Sequence, residues 1–156
     1  MRFIVYGEPC GKGRPRFTRE GTPYTPSKTL SFEKLIQTEY MIQVREKPFP
    51  RGICLKIVID AYMSYPRNIV KWKIPLIFQN LIRPTKKPDW DNIGKIVADA
   101  LNGVAYHDDS QIVTGIVNKY YSNEPRTEIE ITLARSFNYN ITKAELNRCV
   151  KTKKKT

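Results

Sequence analysis

Acidic residues are scarce in this chain and unevenly placed. The 156 residues carry 27 Lys and Arg against 15 Asp and Glu, a net charge of +12, and only six Asp. Leaving out the four Lys among the last six residues still gives a body of about +8, which selects an anionic partner by long-range attraction. Three Cys (Cys10, Cys54, Cys149), odd in number and without a C-x-x-C spacing, supply neither a disulfide framework nor a zinc site. No apolar run approaches a membrane span and no basic-apolar-small signal opens the chain, so a cytoplasmic protein with no membrane partner is the expectation. No G-x-x-x-x-G-K-[ST] loop follows a strand, which removes that mode of nucleotide binding. There is no internal repeat, and no low-complexity stretch beyond the Lys-rich end.

Against this basic background, five of the six Asp fall within residues 88–111: Asp89, Asp91, Asp99, Asp108 and Asp109. A concentrated negative spot repels itself unless a cation occupies it, and a divalent ion with oxygen ligands is the economical occupant. Ile93, Ile96, Val97, Ala100 and Leu101 recur at i, i+3, i+4, i+7 and i+8, one apolar face of a helix. Pro88-Asp89 starts that helix and Asn102-Gly103 stops it. Asp91, Lys95 and Asp99 then form a polar column on another face. Asp89 and Asp91 sit at the positive end of the helix dipole, where carboxylates are favoured. The helix is roughly 18 Å long, and six or seven extended residues span roughly 20 Å. Asp109 is therefore expected to return beside the helix start and meet Asp89 and Asp91, with Asp99 too far along the axis to share their ion. The bland alternative is that these acids are helix caps and solvated groups. Converging carboxylates with Lys95 alongside fit metal-assisted phosphoryl transfer better.

The rest of the chain reads as an α+β domain, a mixed sheet covered by two main helices. Residues 2–7 form a short strand, and residues 27–46 a scaffold helix striped by Phe32, Leu35, Ile36, Tyr40 and Val44. Residues 53–62 alternate as a strand with one apolar face. Strands over 112–121 and 127–133 are expected to close an antiparallel hairpin through Ser122-Asn123-Glu124-Pro125-Arg126. Between them lie two basic segments. Gly11-Lys12-Gly13-Arg14-Pro15-Arg16-Phe17-Thr18-Arg19 suits a phosphate-contacting loop or hairpin, its glycines open to backbone approach. Residues 63–87, with a helical turn at 68–74, carry Arg83, Lys86 and Lys87 and the aromatics Tyr65, Trp72 and Phe78 straight into the acidic stretch. Lys12, Arg14, Arg16, Arg19, Arg83, Lys86 and Lys87 are the DNA-binding candidates; a solvated basic surface is the plainer alternative for each. Residues 1–135 form the domain, and 136–156 a basic, partly disordered extension with a helix near 142–149.

Lys87-Pro88-Asp89-Trp90-Asp91-Asn92, then Lys95, Asp99-Ala100-Leu101-Asn102-Gly103 and Asp108-Asp109-Ser110-Gln111-Ile112, resembles the RusA-type Holliday junction resolvases. The opening Gly-Lys-Gly-Arg-Pro-Arg-Phe with Tyr24-Thr25-Pro26 is similar to openings in many members. The resemblance covers most of residues 1–134 and is specific over 87–112. It implies a homodimeric, Mg2+-dependent endonuclease, with Mn2+ as a substitute, that cuts four-way DNA junctions by paired symmetric incision in recombination and repair. By residue match it implies Asp89, Asp91, Lys95 and Asp109 as catalytic, and Asp89, Asp91 and Asp109 as metal ligands. Asp108 is a further candidate ligand, and Asp99 matches an acid of less certain role. The connection between Leu101 and Asp108 is shorter than in some members, and the basic tail is not a family requirement.

The expected reaction is hydrolysis of a DNA phosphodiester by water, the cation activating the water and neutralising charge at phosphorus. Lys95 faces the scissile phosphate or orients the nucleophile; its alternative is an i, i+4 ion pair with Asp91. His107, the only His, reads as a surface residue and Trp90 as a packing residue at the helix start. The rival functions are a non-catalytic basic DNA-binding module and a metal nuclease of flaps, forks or other branched DNA.

Overall fold

The sheet is assembled around β4 (Leu55–Ser64), whose side chains Leu55, Ile57, Ile59, Ala61 and Met63 are all buried on one face. Alternation with Lys56, Val58, Asp60 and Tyr62 is the sequence cause, because successive strand residues point to opposite faces. The computed structural model describes residues 1–134 and 142. The basic extension expected over 136–156, with its helix, lies outside the described residues apart from Thr142.

The remaining strands of the main sheet are β1 (Arg2–Tyr6), β5 (Ile112–Ser122) and β6 (Arg126–Leu133), in the order β1-β6-β4-β5. A two-residue pair, β2 (Arg16–Phe17) and β3 (Pro23–Tyr24), forms a separate hairpin. The helices among the described residues are α1 (Ser27–Gln43), the short α2 (Ile74–Phe78) and α3 (Trp90–Leu101). The class is α+β with a mixed sheet, as expected, with α2 added to the two main helices. The helical turn expected at 68–74 falls later, as a 3-10 turn Lys71–Lys73 running into α2.

The expected β5–β6 hairpin does not form. Both strands flank β4: β5 runs parallel to it, Ile59 opposite Val117, and β6 antiparallel, Ile59 opposite Ile129. The turn at 123–125 therefore crosses the end of β4, a span of about 10 Å at two strand spacings. The crossover carrying α3 permits this arrangement, since parallel neighbours need a long connection that lies on the sheet face. β4 has the continuous apolar face, and central placement buries it more fully than an edge would.

Helix α3 presents Ile93, Ile96, Val97, Ala100 and Leu101 to this core, the residues its 3.6 periodicity selects. It ends where expected: Asn102 leaves the helix and Gly103 takes φ +72°, a conformation open to glycine. Helix α1 contributes Phe32, Ile36 and Tyr40, and its Gln37 amide donates to the Ala100 carbonyl at 3.0 Å, tying the two helices together. Gln43, the last residue of α1, closes the edge of β1. It accepts from the Ile4 N–H at 3.0 Å and donates to the Ile4 carbonyl at 2.6 Å, filling the role of a missing neighbour strand. On the opposite sheet face, Arg126 stacks over Tyr62, Tyr62 on Tyr120, and Tyr120 under Arg83.

Candidate active site

The N-terminal loop and the start of α3 touch through two glycines. A Cβ on Gly11 would lie 2.8 Å from Pro88 Cβ and 3.1 Å from Asn92 Cβ; one on Gly13 would lie 2.8 Å from the Thr29 hydroxyl. Two backbone donors of this loop are used internally rather than left for phosphates. Lys12 N–H donates to the Asn92 carbonyl at 2.8 Å and Gly13 N–H to Thr29 Oγ1 at 3.2 Å. Lys12 itself differs from its expected role as a DNA contact. Its ammonium lies 2.6 Å from Glu33 Oε1 and 2.6 Å from Asp99 Oδ2, clamping the loop to both helices. Burial alone lowers the Lys12 pKa, but hydrogen bonds and charge from Asp99 and Glu33 outweigh it and hold the ammonium above its ordinary value.

This packing leaves a cleft of about 650 Å3 at the start of α3, lined by Arg14, Lys28, Lys87, Asp89 and Asn92 and floored by Cys10 and Gly11. Cys10 is buried, which pushes its thiol up and makes it a poor nucleophile. Lys28, in the first turn of α1, escaped the sequence reading because nothing local distinguishes it; only the packing of α1 against the loop brings it to Asp89's side.

Asp89 occupies the N-cap position of α3 with extended backbone (φ −71°, ψ 151°), yet its carboxylate makes no capping hydrogen bond. Asp91 and Lys95 follow on the exposed side of the helix. The i, i+4 ion pair that competed with a catalytic Lys95 is not formed, and neither side chain has a hydrogen-bond or ion-pair partner among the described residues. Trp90, expected to pack at the helix start, is instead 66% exposed.

Asp109 is not where it was expected. Helix α3 runs antiparallel to β5: Gly94 packs against Val117, while Lys119 Nζ reaches back to the Lys86 carbonyl at 2.5 Å. The helix start thus lies beside the far end of β5, and Asp109, just before β5, lies near the helix end. Tyr106 fixes that end, donating to the Ala98 carbonyl at 2.9 Å. Burial drives its hydroxyl pKa far up, with the charges of Asp109 and Asp99 adding. By helix rise and strand rise, Asp109 is on the order of 20 Å along the molecule from Asp91. Consistently, no group of three or more His, Cys, Asp or Glu placed to hold one ion occurs among the described residues. The physical reason is residues 104–106. Ala105 and Tyr106 are buried beneath the end of α3, so the chain folds back there instead of extending toward the helix start. The hydrophobic triplet Val104-Ala105-Tyr106 was the signal available in the sequence.

The Asp residues now separate by use. Asp60 accepts from Asn118 at 2.7 Å and Asp99 holds Lys12. Asp108 accepts from the Ser110 N–H at 2.9 Å, while Gln111 Oε1 accepts from the backbone N–H groups of His107 and Asp108. That hydrogen bond lowers the Asp108 pKa. Asp89, Asp91 and Asp109 are exposed and have no side-chain partner among the described residues. His107 is exposed, as expected of a surface residue.

Of the DNA-binding candidates, Arg14, Arg16, Arg19, Lys86 and Lys87 are exposed, with Arg16 opposite Tyr24 in the small hairpin beside exposed Phe17. Arg83 is exposed too, but its guanidinium lies 4.2 Å over the Tyr120 ring and its Nε donates to the Lys119 carbonyl at 3.0 Å, pinning residues 83–86 to β5.

Residues 6–132 match the family model described as Endodeoxyribonuclease RusA. The chain belongs to the RusA endodeoxyribonuclease family. The resemblance carried by residues 87–112 to RusA-type Holliday junction resolvases is thereby borne out. The match spans both long helices and the strands β4, β5 and β6 up to the penultimate residue of β6, and takes in only the last residue of β1. The chain is also similar to the uncharacterized protein YqaN of Bacillus subtilis (strain 168), 38% identical over 139 residues that cover 84% of this chain and 94% of YqaN. No helix among the described residues is long and apolar enough to cross a membrane.

Proposed function

We propose that this RusA-family chain is a homodimeric, Mg2+-dependent endonuclease of the cytoplasm that hydrolyses DNA phosphodiesters at four-way junctions by paired incision, serving recombination and repair. The observation that carries the reading is the division of labour among the carboxylates. Three Asp serve the fold, and the three left without internal partners, Asp89, Asp91 and Asp109, are those that match the family's metal ligands.

The residues at the start of α3 fit Mg2+. Asp89 and Asp91 offer hard oxygen donors at the positive end of a helix, and no protein cation within the described residues occupies them. Mg2+ is commonly held by one or two carboxylates together with water and substrate phosphate, so this pair suffices as an anchor, with Mn2+ as a substitute. When bound, the ion supplies Lewis-acid activation of water and charge neutralisation at phosphorus. The chain's own residues do the rest. Arg14, Lys28 and Lys87 line the cleft beside Asp89 and hold flanking phosphates. Lys95, one turn beyond Asp91 and free of an ion pair, faces the scissile phosphate and offsets charge developing there. Lys12 positions the loop from within.

Asp109 reaches this centre only from a second copy of the chain, because α3 separates it from Asp89 and Asp91 within one subunit. A two-fold dimer then holds two equivalent centres, matching the two equivalent strands of a four-way junction. The deciding experiment is Mg2+-dependent cleavage of a synthetic four-way junction at moderate salt, in competition with linear duplex. Paired incision that is lost in Asp91→Asn while DNA binding persists supports the reading. Binding without cleavage at any divalent ion would leave a basic DNA-binding module, and preferred cleavage of flaps or forks a nuclease of other branched DNA.

A further inference from the structure

The residues that lead into α3 have little backbone support of their own. Residues 83–88 belong to no helix or strand, and none of them takes part in a backbone–backbone hydrogen bond among the described residues. A stretch of that kind opens easily unless side chains hold it. Yet it carries Lys87 and delivers Asp89 to the cleft. Three ties stand in for the missing ladder. Arg83 Nε donates to the Lys119 carbonyl at 3.0 Å, and Lys119 Nζ donates to the Lys86 carbonyl at 2.5 Å. Pro88 meets Gly11, where even a Cβ would come to 2.8 Å. Pro84, between the first two ties in sequence, is buried.

Two of these ties fall on one residue of β5, and a row of stacked groups crosses the sheet to reach them. Arg126 of β6, Tyr62 of β4 and Tyr120 of β5 stand opposite one another in register. The Arg126 guanidinium lies 3.9 Å over the Tyr62 ring, and the two tyrosine rings stack at 5.2 Å with 24° between their planes. The Arg83 guanidinium lies 4.2 Å over Tyr120. Glu128 fixes the far end, accepting from Arg126 at 2.8 Å and from Arg2 at 2.9 Å. Every member except Arg83 sits on a strand, so the row is a fixed platform and Arg83 is the group it captures. A guanidinium suits the place: its face stacks on a ring while its edge still donates, which a compact ammonium does not reproduce.

The platform lies on the sheet face opposite α3, and residues 83–88 pass round the β5 edge between the two faces. We propose that Arg83 is a positioning residue for the metal site rather than a DNA contact: held on Tyr120 and Lys119, it fixes this segment and so sets the places of Lys87 and Asp89 at the cleft. What Asp89 binds rests on the nuclease reading above; the hold on the segment rests on the contacts alone. A misplacement of about 1 Å at a reacting centre costs on the order of a hundred-fold in rate, and groups that orient metal ligands are commonly worth roughly ten- to a hundred-fold in metal affinity.

Arg83→Lys separates the two roles, because it keeps the charge a phosphate would need and loses the flat face and the fork. Mn2+ binding is measured without DNA, well below the melting temperature of each variant, so that lost stability alone leaves the affinity native. Arg83→Lys should weaken Mn2+ binding by roughly ten-fold or more. Tyr120→Leu should match it, and Tyr120→Phe, which keeps the ring, should stay native. The Mg2+ concentration that half-saturates single-turnover junction cleavage should rise by a similar factor in the first two. In EDTA, the junction affinity of Arg83→Ala should keep the native dependence on salt, since a lost phosphate contact would reduce the slope by about one. A slope reduced in that way, or native Mn2+ affinity in both Arg83→Lys and Tyr120→Leu, would overturn the proposal. A native chain that binds Mn2+ more tightly than these variants but cleaves no DNA sinks the nuclease reading and leaves the positioning role standing. Junction cleavage with native Mg2+ dependence in both variants sinks the positioning role alone. A native chain that neither binds Mn2+ nor cleaves sinks both.

Discussion

The two ends of α3 use the same residue type in opposite ways. At the start, Asp89 and Asp91 are exposed, unpaired and set beside a cleft with Arg14, Lys28 and Lys87 on its walls. Toward the end, Asp99 is bound to Lys12, and Asp108 caps the turn that leads into β5. The difference lies in what each carboxylate is given, not in the carboxylates themselves. A paired Asp holds the fold together and is closed to ligands. An unpaired Asp at a helix N-terminus holds little of the fold together and stays open to a cation, which its position at the end of the helix leaves accessible. Asp109 is the exception that makes the comparison useful: it stands near the structural end but is unpaired like the other two.

The sharpest break between the ends is expected in activity. Asp91→Asn or Asp89→Asn should lower single-turnover cleavage of a four-way junction by at least about a hundred-fold, since a lost metal ligand removes several kcal/mol of transition-state stabilisation. Thermal denaturation should hardly change, because neither carboxylate has an internal partner among the described residues. A large loss of stability in Asp91→Asn would show that the start of α3 belongs with its end.

Asp109 is resolved by mixing subunits. Asp89→Asn and Asp109→Asn chains should each be inactive alone. If each centre draws Asp109 from the opposite subunit, a mixed dimer has one centre carrying both substitutions and one carrying neither. An equal, randomly exchanged mixture should then regain roughly a quarter of native centres and nick junctions on one strand. If each centre were built within one subunit, every centre in the mixed dimer would carry one defect, and mixing would restore nothing.

Much of this was readable from residue order. The phase of α3, its stop at Asn102-Gly103 and the alternation of β4 follow from local periodicity, and the structure places each as expected. Two features were not local. Strands adjacent in sequence are the natural hairpin partners, and only the competition for β4 separates β5 from β6. The position of Asp109 depended on whether residues 102–108 run extended or fold back, and burial of Ala105 and Tyr106 decides for folding back. Lys12 looked like one more cation in a basic loop. Its two carboxylates come from 21 and 87 residues away, beyond the reach of any spacing argument.

That clamp gives the next effect. Lys12→Met keeps the apolar stem but leaves Glu33 and Asp99 without their cation, and should cost about 1–3 kcal/mol in denaturant unfolding. The pH dependence has a definite sign. The Lys12 pKa is raised in the folded chain, so its contribution is complete below the ordinary lysine value of 10.5 and is lost as pH rises through the higher folded value. The native protein and Lys12→Met should therefore converge in stability only in strong alkali. A gap that closes at neutral pH would show that the clamp does not hold the loop. Junction affinity of the variant, measured where both proteins are folded, should fall less than in Arg14→Ala or Lys87→Ala.

The smallest expected effect belongs to Asp108, and it tests whether a carboxylate next to Asp109 shares its work. Asp108→Asn keeps an oxygen that accepts from the Ser110 N–H, so the turn Asp109–Gln111 should persist and stability at neutral pH should change little. The native carboxylate is held below its ordinary pKa by that hydrogen bond. Its charge-dependent contribution is present above the ordinary value of 3.8 and is lost as pH falls through the lower folded value. Any stability difference between the native protein and Asp108→Asn should thus be flat across the neutral range and vanish in strong acid. Cleavage should stay within a few-fold of native, against the hundred-fold loss at Asp91. If Asp108→Asn instead abolishes cleavage with the fold intact, Asp108 is a ligand whose cap is incidental, and both residues of the Asp108-Asp109 pair join Asp89 and Asp91 at the metal.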